Sequence, residues 1–367
     1  SGMMAQLLTR GAGGMTADEI SAAVESMGAS MGPISGRNSF GLSGRCLSSD
    51  QDKFMDLFSK CLRRPSFPER EIEMQREIQL ASIERQYEQP MFLAQQALGA
   101  IIHTNHPYRR SDLGTIGSVK SVTRDDLVAW HSSYVVAGNM GIAIFGDITD
   151  KKAIELAEKC VAGMKKGSAP ARAPSACTPV LPARVEVRAP REQTIVLFGF
   201  PGVSLSDPRT DALSVLSTAT SGLSSDIAGE IREKRGLAYY VGSMNRIGVD
   251  PGMFAFYAGI KKDAVPEVER LFTEEIRRLS EAGIRAEEFE RARKQIVADH
   301  EMSLQSSESV AMMCVLNELY GLGYDYAFST KARMARLTSG DVQSAAASIF
   351  VTNRMAVTIL LPDEVKQ

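Results

Sequence analysis

Residues 122–147, VTRDDLVAWHSSYVVAGNMGIAIFGD, decide how this chain folds. Val122-Thr123-Arg124-Asp125-Asp126-Leu127 caps a helix that runs to about Tyr134. Met140 to Asp147 is a strongly apolar run bounded by polar residues and reads as a strand. The same plan returns near the C-terminus. Leu337-Thr338-Ser339-Gly340-Asp341-Val342 caps a helix that leads to Asn353-Arg354-Met355 and the strand Ala356 to Leu361. Asp341 follows Asp126 by 215 residues, and Met355 follows Met140 by the same 215. Further upstream Glu71-Ile72-Glu73 resembles Glu288-Phe289-Glu290 at an offset of 217, so a two-residue gap intervenes. Self-similarity at so long a period predicts an α+β chain of two duplicated domains. The boundaries expected are 1–166 for the first domain, a Pro/Ala/Ser-rich linker over 167–190, and 191–367 for the second.

The remaining elements fit this plan. Residues 3–10 and 16–27 read as helices, the second opening on a capping box, Thr16-Ala-Asp-Glu19. Ser39 to Leu47 alternates with period two and reads as a strand, and Asp50 to Arg63 is an amphipathic helix. Pro65 and Pro68 break it before a long helix from Glu69 to about Glu88; Pro90 ends that one, and a further helix runs from Phe92 to Ile102. In the second half, strands are expected at Gln193–Phe200, Leu237–Val241 and Gly252–Tyr257, with helices from Arg209, Val265, Arg285 and Ser309.

Bulk composition excludes several functions. The 367 residues are 44% hydrophobic and 23% charged, enough for large cores, and a net charge of −2 shows no bias toward nucleic acid or an anionic membrane. No apolar run approaches the roughly 20 residues of a spanning helix. Ser1-Gly2-Met3-Met4 runs straight into an amphipathic helix, which predicts a chain that opens inside a domain, with any targeting segment out of view. The five cysteines are scattered without a CxxC, indicating neither a disulfide framework nor a zinc ribbon. His103 and His106 are the one close histidine pair, and their place before Pro107-Tyr108 argues against a metal site.

Ser221 to Ser243, SGLSSDIAGEIREKRGLAYYVGS, is the stretch where chemistry concentrates. A helix of small residues ends in Arg232-Glu233-Lys234-Arg235 and stops at Gly236, and the chain re-enters extended structure through Leu237 to Val241. An Arg at a helix end and a Tyr at the following strand can point to one side of the turn. Arg232 and Tyr239 would then offer donors to a peptide carbonyl or carboxylate; the alternative is a solvated arginine and a packed tyrosine. Ser221-Gly222-Leu223-Ser224-Ser225 reads as helix-start packing rather than a mobile substrate loop.

The order and spacing of five fragments resemble the pitrilysin family of zinc peptidases, the inverted HxxEH class. They are HPY (His106–Tyr108) followed by Leu113-Gly114-Thr115, the TRDDL helix start, the strand ending Phe145-Gly146-Asp147, REKRGLAY, and ELYGL at Glu318–Leu322. The resemblance covers nearly the whole chain. It implies two α+β domains, each a mostly antiparallel sheet with helices on one face, facing each other across a chamber on one chain or between two. It also implies a zinc held by two histidines four apart on a helix, with a glutamate between them, and by a later glutamate. Matching Thr9-Arg10-Gly11-Ala12 to the family's glycine turn places Gly2 and Gln6 at the histidine positions, Ala5 at the general base and Ser82 at the third ligand. All four reactive groups are missing. Glu77 and Glu84 lie one or two turns from Ser82, and no histidine precedes His103.

Arg232 and Tyr239 match the positions that in relatives bind the substrate backbone. The expectation is a noncatalytic, substrate-binding subunit of a heterodimeric zinc metalloendopeptidase, a pseudoenzyme of the processing-peptidase type with no cofactor of its own. Its partner would be a zinc-bearing relative, or a second copy, and its ligand a peptide. The rivals are a structural core-type subunit, a peptide-binding module and an active single-chain protease. The compartment stays open between a bacterial cytoplasm and periplasm, and the free cysteines lean toward reduction.

Overall fold

The computed structural model describes residues 2–168, 170, 177, 179–190, 193–222 and 225–363. The helices are α1 (Gly2–Leu7), α2 (Ala17–Ser26), α3 (Gln51–Arg63), α4 (Glu69–Tyr87), α5 (Pro90–Ile102), α6 (Ile116–Ser121), α7 (Arg124–Tyr134), α8 (Asp150–Val161), α9 (Thr210–Thr220), α10 (Asp226–Ala228), α11 (Val265–Ala282), α12 (Ala286–Ser303), α13 (Ser307–Leu319), α14 (Thr330–Arg336) and α15 (Ser339–Ile349). The strands are β1 (Ser30–Ser35), β2 (Phe40–Arg45), β3 (Ala183–Ala189), β4 (Thr194–Pro201), β5 (Ala238–Arg246), β6 (Met253–Ile260) and β7 (Ala356–Pro362). The fold is mixed α+β. No helix among the described residues is long and apolar enough to cross a membrane.

The duplicated helix starts adopt one geometry. In α7 the Thr123 amide donates to Asp126 Oδ2 at 2.9 Å and the Asp126 amide to Thr123 Oγ1 at 3.2 Å. In α15 the corresponding distances from Thr338 and Asp341 are 2.8 and 3.2 Å. These reciprocal bonds satisfy amides that a helix start leaves bare. They also hold both carboxyls below the usual carboxylate range, through the hydrogen bonds of Thr123 in one helix and Thr338 in the other.

The chain divides into two compact units that cut across the linear order. Unit 1 comprises Ser1–Glu84, Asp112–Ala173 and Ser303–Ala327; unit 2 comprises Arg85–Ser111, Pro174–Met302 and Phe328–Gln367. The stretch bearing α5 therefore packs with unit 2, and that bearing α13 with unit 1.

Unit 2 holds a five-stranded sheet in the order β3-β7-β4-β6-β5, antiparallel except for the β3–β7 pair. On one face Phe198, Phe200, Phe254 and Phe256 pack with Phe272 of α11 and Phe350 beyond α15. On the other, Ile195 and Leu197 meet Leu98 and Ile102 of α5. A strand buried on both faces reads as a continuous apolar run, and β4, TIVLFGFP, is buried at seven of its eight positions for that reason. Gly199 lies where α5 comes closest: a Cβ there would come within 2.6 Å of the end of the Leu98 side chain, which would have to shift. Residues 183–189, assigned by the sequence to the linker, form β3: they are drawn into the sheet by a parallel ladder to β7. Much of the remaining linker, residues 169, 171–176 and 178, lies outside the described residues.

Unit 1 contains the hairpin β1–β2, with Pro33 on β1 opposite Leu42. Met4, Leu7 and Leu8 at α1 pack with Phe67, with Ile72 and Ile83 of α4, and with Leu127 of α7. Met140–Asp147 does not form the strand expected of it. Its side chains have the pattern, but a strand is defined by a ladder, and no partner strand among the described residues supplies one.

Candidate functional site

The turn that carries Arg232 and Tyr239 is built from its two ends. Ser225 caps α10: its hydroxyl accepts from the Ala228 amide at 3.3 Å and donates to the Gly222 carbonyl at 2.8 Å. Leu223 and Ser224 of the small-residue loop lie outside the described residues. The buried Glu288 carboxylate accepts from the Asp226 and Arg285 amides, each at 3.3 Å, so one carboxylate serves the starts of two helices. Arg285 closes the bracket by pairing with Asp226, its Nε 2.9 Å from Oδ2.

Beyond α10 the helix widens into a π turn over Gly229–Glu233, closed by Lys234 N to Gly229 O at 3.0 Å. Gly236 N to Arg232 O and Leu237 N to Ile231 O, both 3.0 Å, end it, and Gly236 sits at φ +62°, where a side chain would be strained. The chain then enters β5 through a register shift. Ala238 pairs with Ile260 and Tyr240 with Gly259, leaving Tyr239 as the extra residue of a β-bulge. Ala238 and Val241 consequently both face the α9/α11 core, whereas Tyr240 joins the opposite face. Tyr239 is left 58% exposed.

Its neighbour is held quite differently. Tyr240 donates to Gln193 at 3.4 Å, its ring covers Gly259, and burial pushes its phenol up to about 12. Among the described residues no hydrogen bond holds the Tyr239 hydroxyl. Among the described residues the Arg232 guanidinium has one acidic neighbour, Glu233 at 3.8 Å, and 39% of its side chain is exposed. The cations beside it are committed elsewhere, Lys234 to Glu230 at 2.8 Å and Arg235 to Glu267 at 3.1 Å. The donors of Arg232 and Tyr239 are thus displayed on a braced turn with capacity to spare.

The residues matched to a zinc site are in unit 1. Gly2 is half-buried, Ala5 fully buried and Gln6 exposed on α1; Ser82 on α4 donates to the Ile78 carbonyl at 2.8 Å. The two helices share one core through Met3, Met4, Leu7, Ile72 and Ile83. Glu77 and Glu84 point outward. Glycine and alanine carry no ligand atom, and a serine bonded to its own helix is a poor one. Among the described residues no group of three His, Cys, Asp or Glu is placed to hold a metal ion, so the residues present do not fit the zinc of the resemblance.

His103 and His106 lie in the turn that follows α5, and both are buried in unit 2. The Tyr108 amide donates to His106 Nδ1 at 3.1 Å, leaving Nε2 to face Asp250 at 3.3 Å, and the Tyr108 hydroxyl accepts from the Asp250 amide at 3.2 Å. HPY is therefore a clasp on the loop between β5 and β6. The bulge at Tyr239, the π turn and the role of Glu288 were not readable from the sequence, because each depends on strand register or on residues about 60 positions apart.

Comparison with known proteins gives a consistent picture. The family description "Insulinase (Peptidase family M16)" matches residues 3–116, and "Peptidase M16 inactive domain" matches residues 121–296. An uncharacterized zinc protease of Streptomyces coelicolor is 26% identical over 98% of this chain and 80% of its own length. One from Rickettsia bellii is 26% identical over 78% of this chain and 69% of its own. The crystal structure of a peptidase M16 inactive domain from Pseudomonas fluorescens superposes with a TM-score of 0.89, at 23% identity, over 100% of this chain and 89% of that one. A protease from Helicobacter pylori gives 0.84 at 19% identity, over 98% and 89%. Two descriptions of a single family in succession, on a fold those structures share, establish that the chain belongs to peptidase family M16 and carries an M16 inactive domain.

Proposed function

We propose that this chain is the noncatalytic, substrate-binding subunit of a two-chain zinc metalloendopeptidase, contributing Arg232 and Tyr239 while a zinc-bearing M16 partner performs hydrolysis. The observation that carries the reading is the contrast between two sets of residues. Arg232 and Tyr239 present donors that no acceptor among the described residues uses up, whereas Gly2, Ala5, Gln6 and Ser82 offer little to a metal.

An arginine fork and a phenol hydroxyl are suited to a peptide carbonyl and to the oxyanion that develops from it. Each donor so placed stabilises a transition state by roughly 3 kcal/mol, or about a hundredfold in rate. The test is to mix the chain with a zinc-bearing M16 protein and follow cleavage of a fluorogenic peptide. Arg232→Ala and Tyr239→Phe should each lower kcat/KM about a hundredfold. Because neither side chain is buried, folding stability should move by less than about 0.5 kcal/mol. Unchanged turnover in both variants overturns the role. A stable complex whose activity ignores them assigns the chain to a scaffold instead.

A further inference from the structure

Two tyrosines stand in succession at the start of β5, and only one of them is displayed. Tyr240 lies against Gly259 of β6 and donates to Gln193, whereas Tyr239 is the bulged residue and stays exposed. The pairing of Ala238 with Ile260 could equally run on without a bulge. In that straight ladder Tyr239 would pair with Gly259 and take the contact that Tyr240 now makes, with a side chain of the same kind. Val241 would then stand opposite Tyr257, Gly242 opposite Phe256 and Ser243 opposite Ala255. A one-residue slip turns each side chain to the other face, so a bulge placed here has to be held by residues further along the strand.

Two neighbouring residues of β5 supply that hold. Gly242 pairs with Tyr257, and a Cβ on it would stand 2.9 Å from Tyr257 Oη, so the place accepts glycine more readily than the valine a slip would bring. Ser243, 6% exposed, pairs with Phe256 on the core face, and its hydroxyl is tied to the end of α9. It donates to the Ser217 carbonyl at 3.2 Å and lies 2.7 Å from Thr220 Oγ1 and 3.2 Å from Ser221 Oγ. The Ser221 hydroxyl in turn donates to the Ser243 carbonyl at 3.0 Å. In the straight ladder Gly242 would occupy this place with no hydroxyl to offer, and Ser243 would turn to the opposite face. Thr220, itself 4% exposed, would lose a partner that water cannot readily replace.

We propose that Ser243 is a positioning residue for Tyr239: its hydroxyl, anchored on the end of α9, holds the register in which the sheet uses Tyr240 and leaves Tyr239 out on the bulge. The buried Ser243 acts through the strand, four residues from the phenol it places. The proposal rests on the role given to Tyr239 above, but the register it assigns to Ser243 can be read without any reference to catalysis.

Acetylation by N-acetylimidazole, mapped by mass spectrometry on the 367-residue chain, reads which tyrosine is displayed. In the unaltered chain Tyr239 should be modified ahead of Tyr240. Ser243→Ala should lower the ratio of Tyr239 to Tyr240 modification at least about fivefold, the factor one hydrogen bond governs. Thr220→Val keeps the side-chain shape, removes the hydroxyl on the α9 side and should move the ratio in the same direction; it decides the matter should Ser243→Ala fail to fold. An unchanged ratio overturns the proposal. With the zinc-bearing M16 partner present, Ser243→Ala should lower kcat/KM at least about fivefold, and should lower it no further when Tyr239 is already phenylalanine. Equal losses in both backgrounds also overturn it, because they assign Ser243 to general stability. Should Tyr239→Phe alone leave turnover unchanged, the role of Tyr239 falls, and the modification ratio still decides whether Ser243 sets the register.

Discussion

Glu288→Ala should loosen the turn that presents Arg232 more than any substitution on its surface. The carboxylate is 5% exposed and accepts two backbone amides, Asp226 N and Arg285 N, at 3.3 Å each. Hydrogen bonds to a charged acceptor contribute about 1.5–3 kcal/mol apiece, and a buried amide left bare costs a comparable amount. Against that, Arg285 is half exposed and keeps its pair with Asp226, so no charge is stranded. The balance is a loss of about 3 kcal/mol. For a unit of this size it corresponds to roughly 6–12 °C in the melting of unit 2. Calorimetry reads the transition, and hydrogen exchange over residues 225–237 reads the turn, where protection should fall with it. Glu287→Ala, one position earlier and exposed, is the control and should stay within about 0.5 kcal/mol. A cost below about 1 kcal/mol for Glu288→Ala, or undisturbed exchange across the turn, would refute the claim that this carboxylate holds the site.

Two further outcomes follow. Leu98→Ala removes a side chain with no exposure from between α5 and Gly199, and denaturant unfolding of unit 2 should record a loss of about 2–5 kcal/mol. Burial of His131, whose Nε2 donates to the Leu62 carbonyl at 2.8 Å, depresses its pKa below the usual 6.5. The unfolded chain therefore binds a proton that the folded chain resists, and unit 1 should lose stability as pH falls through about 6.5 toward the lowered value, at up to about 1.4 kcal/mol per pH unit. His131→Gln should flatten that slope in pH-dependent urea melts; an unaltered slope would assign it to other groups.

Much of this protein is legible in its sequence because the signals are local. Thr123 with Asp126 and Thr338 with Asp341 mark helix starts three residues apart, and both form the boxes their spacing calls for. Proline and glycine end α4 and the π turn at Pro90 and Gly236. The continuous apolar run of β4 announces a strand covered on both faces. That no histidine precedes His103 is likewise plain, since a missing imidazole is a matter of inventory.

Tertiary structure alone decided the rest. Whether an apolar run becomes a strand depends on a neighbour's backbone, which is why residues 183–189 entered the sheet and residues 140–147 did not. The sequence placed α5 and α13 in one linear half each, but packing assigned them the other way, because a helix settles on whichever apolar face it can cover. Arg232 and Tyr239 could be named from the chain. Their exposure could not, since it follows from one bulged residue opposite Ile260 and Gly259 and from a buried glutamate 62 positions beyond Asp226. Side-chain chemistry is written residue by residue, whereas register and burial are settled only when distant segments meet.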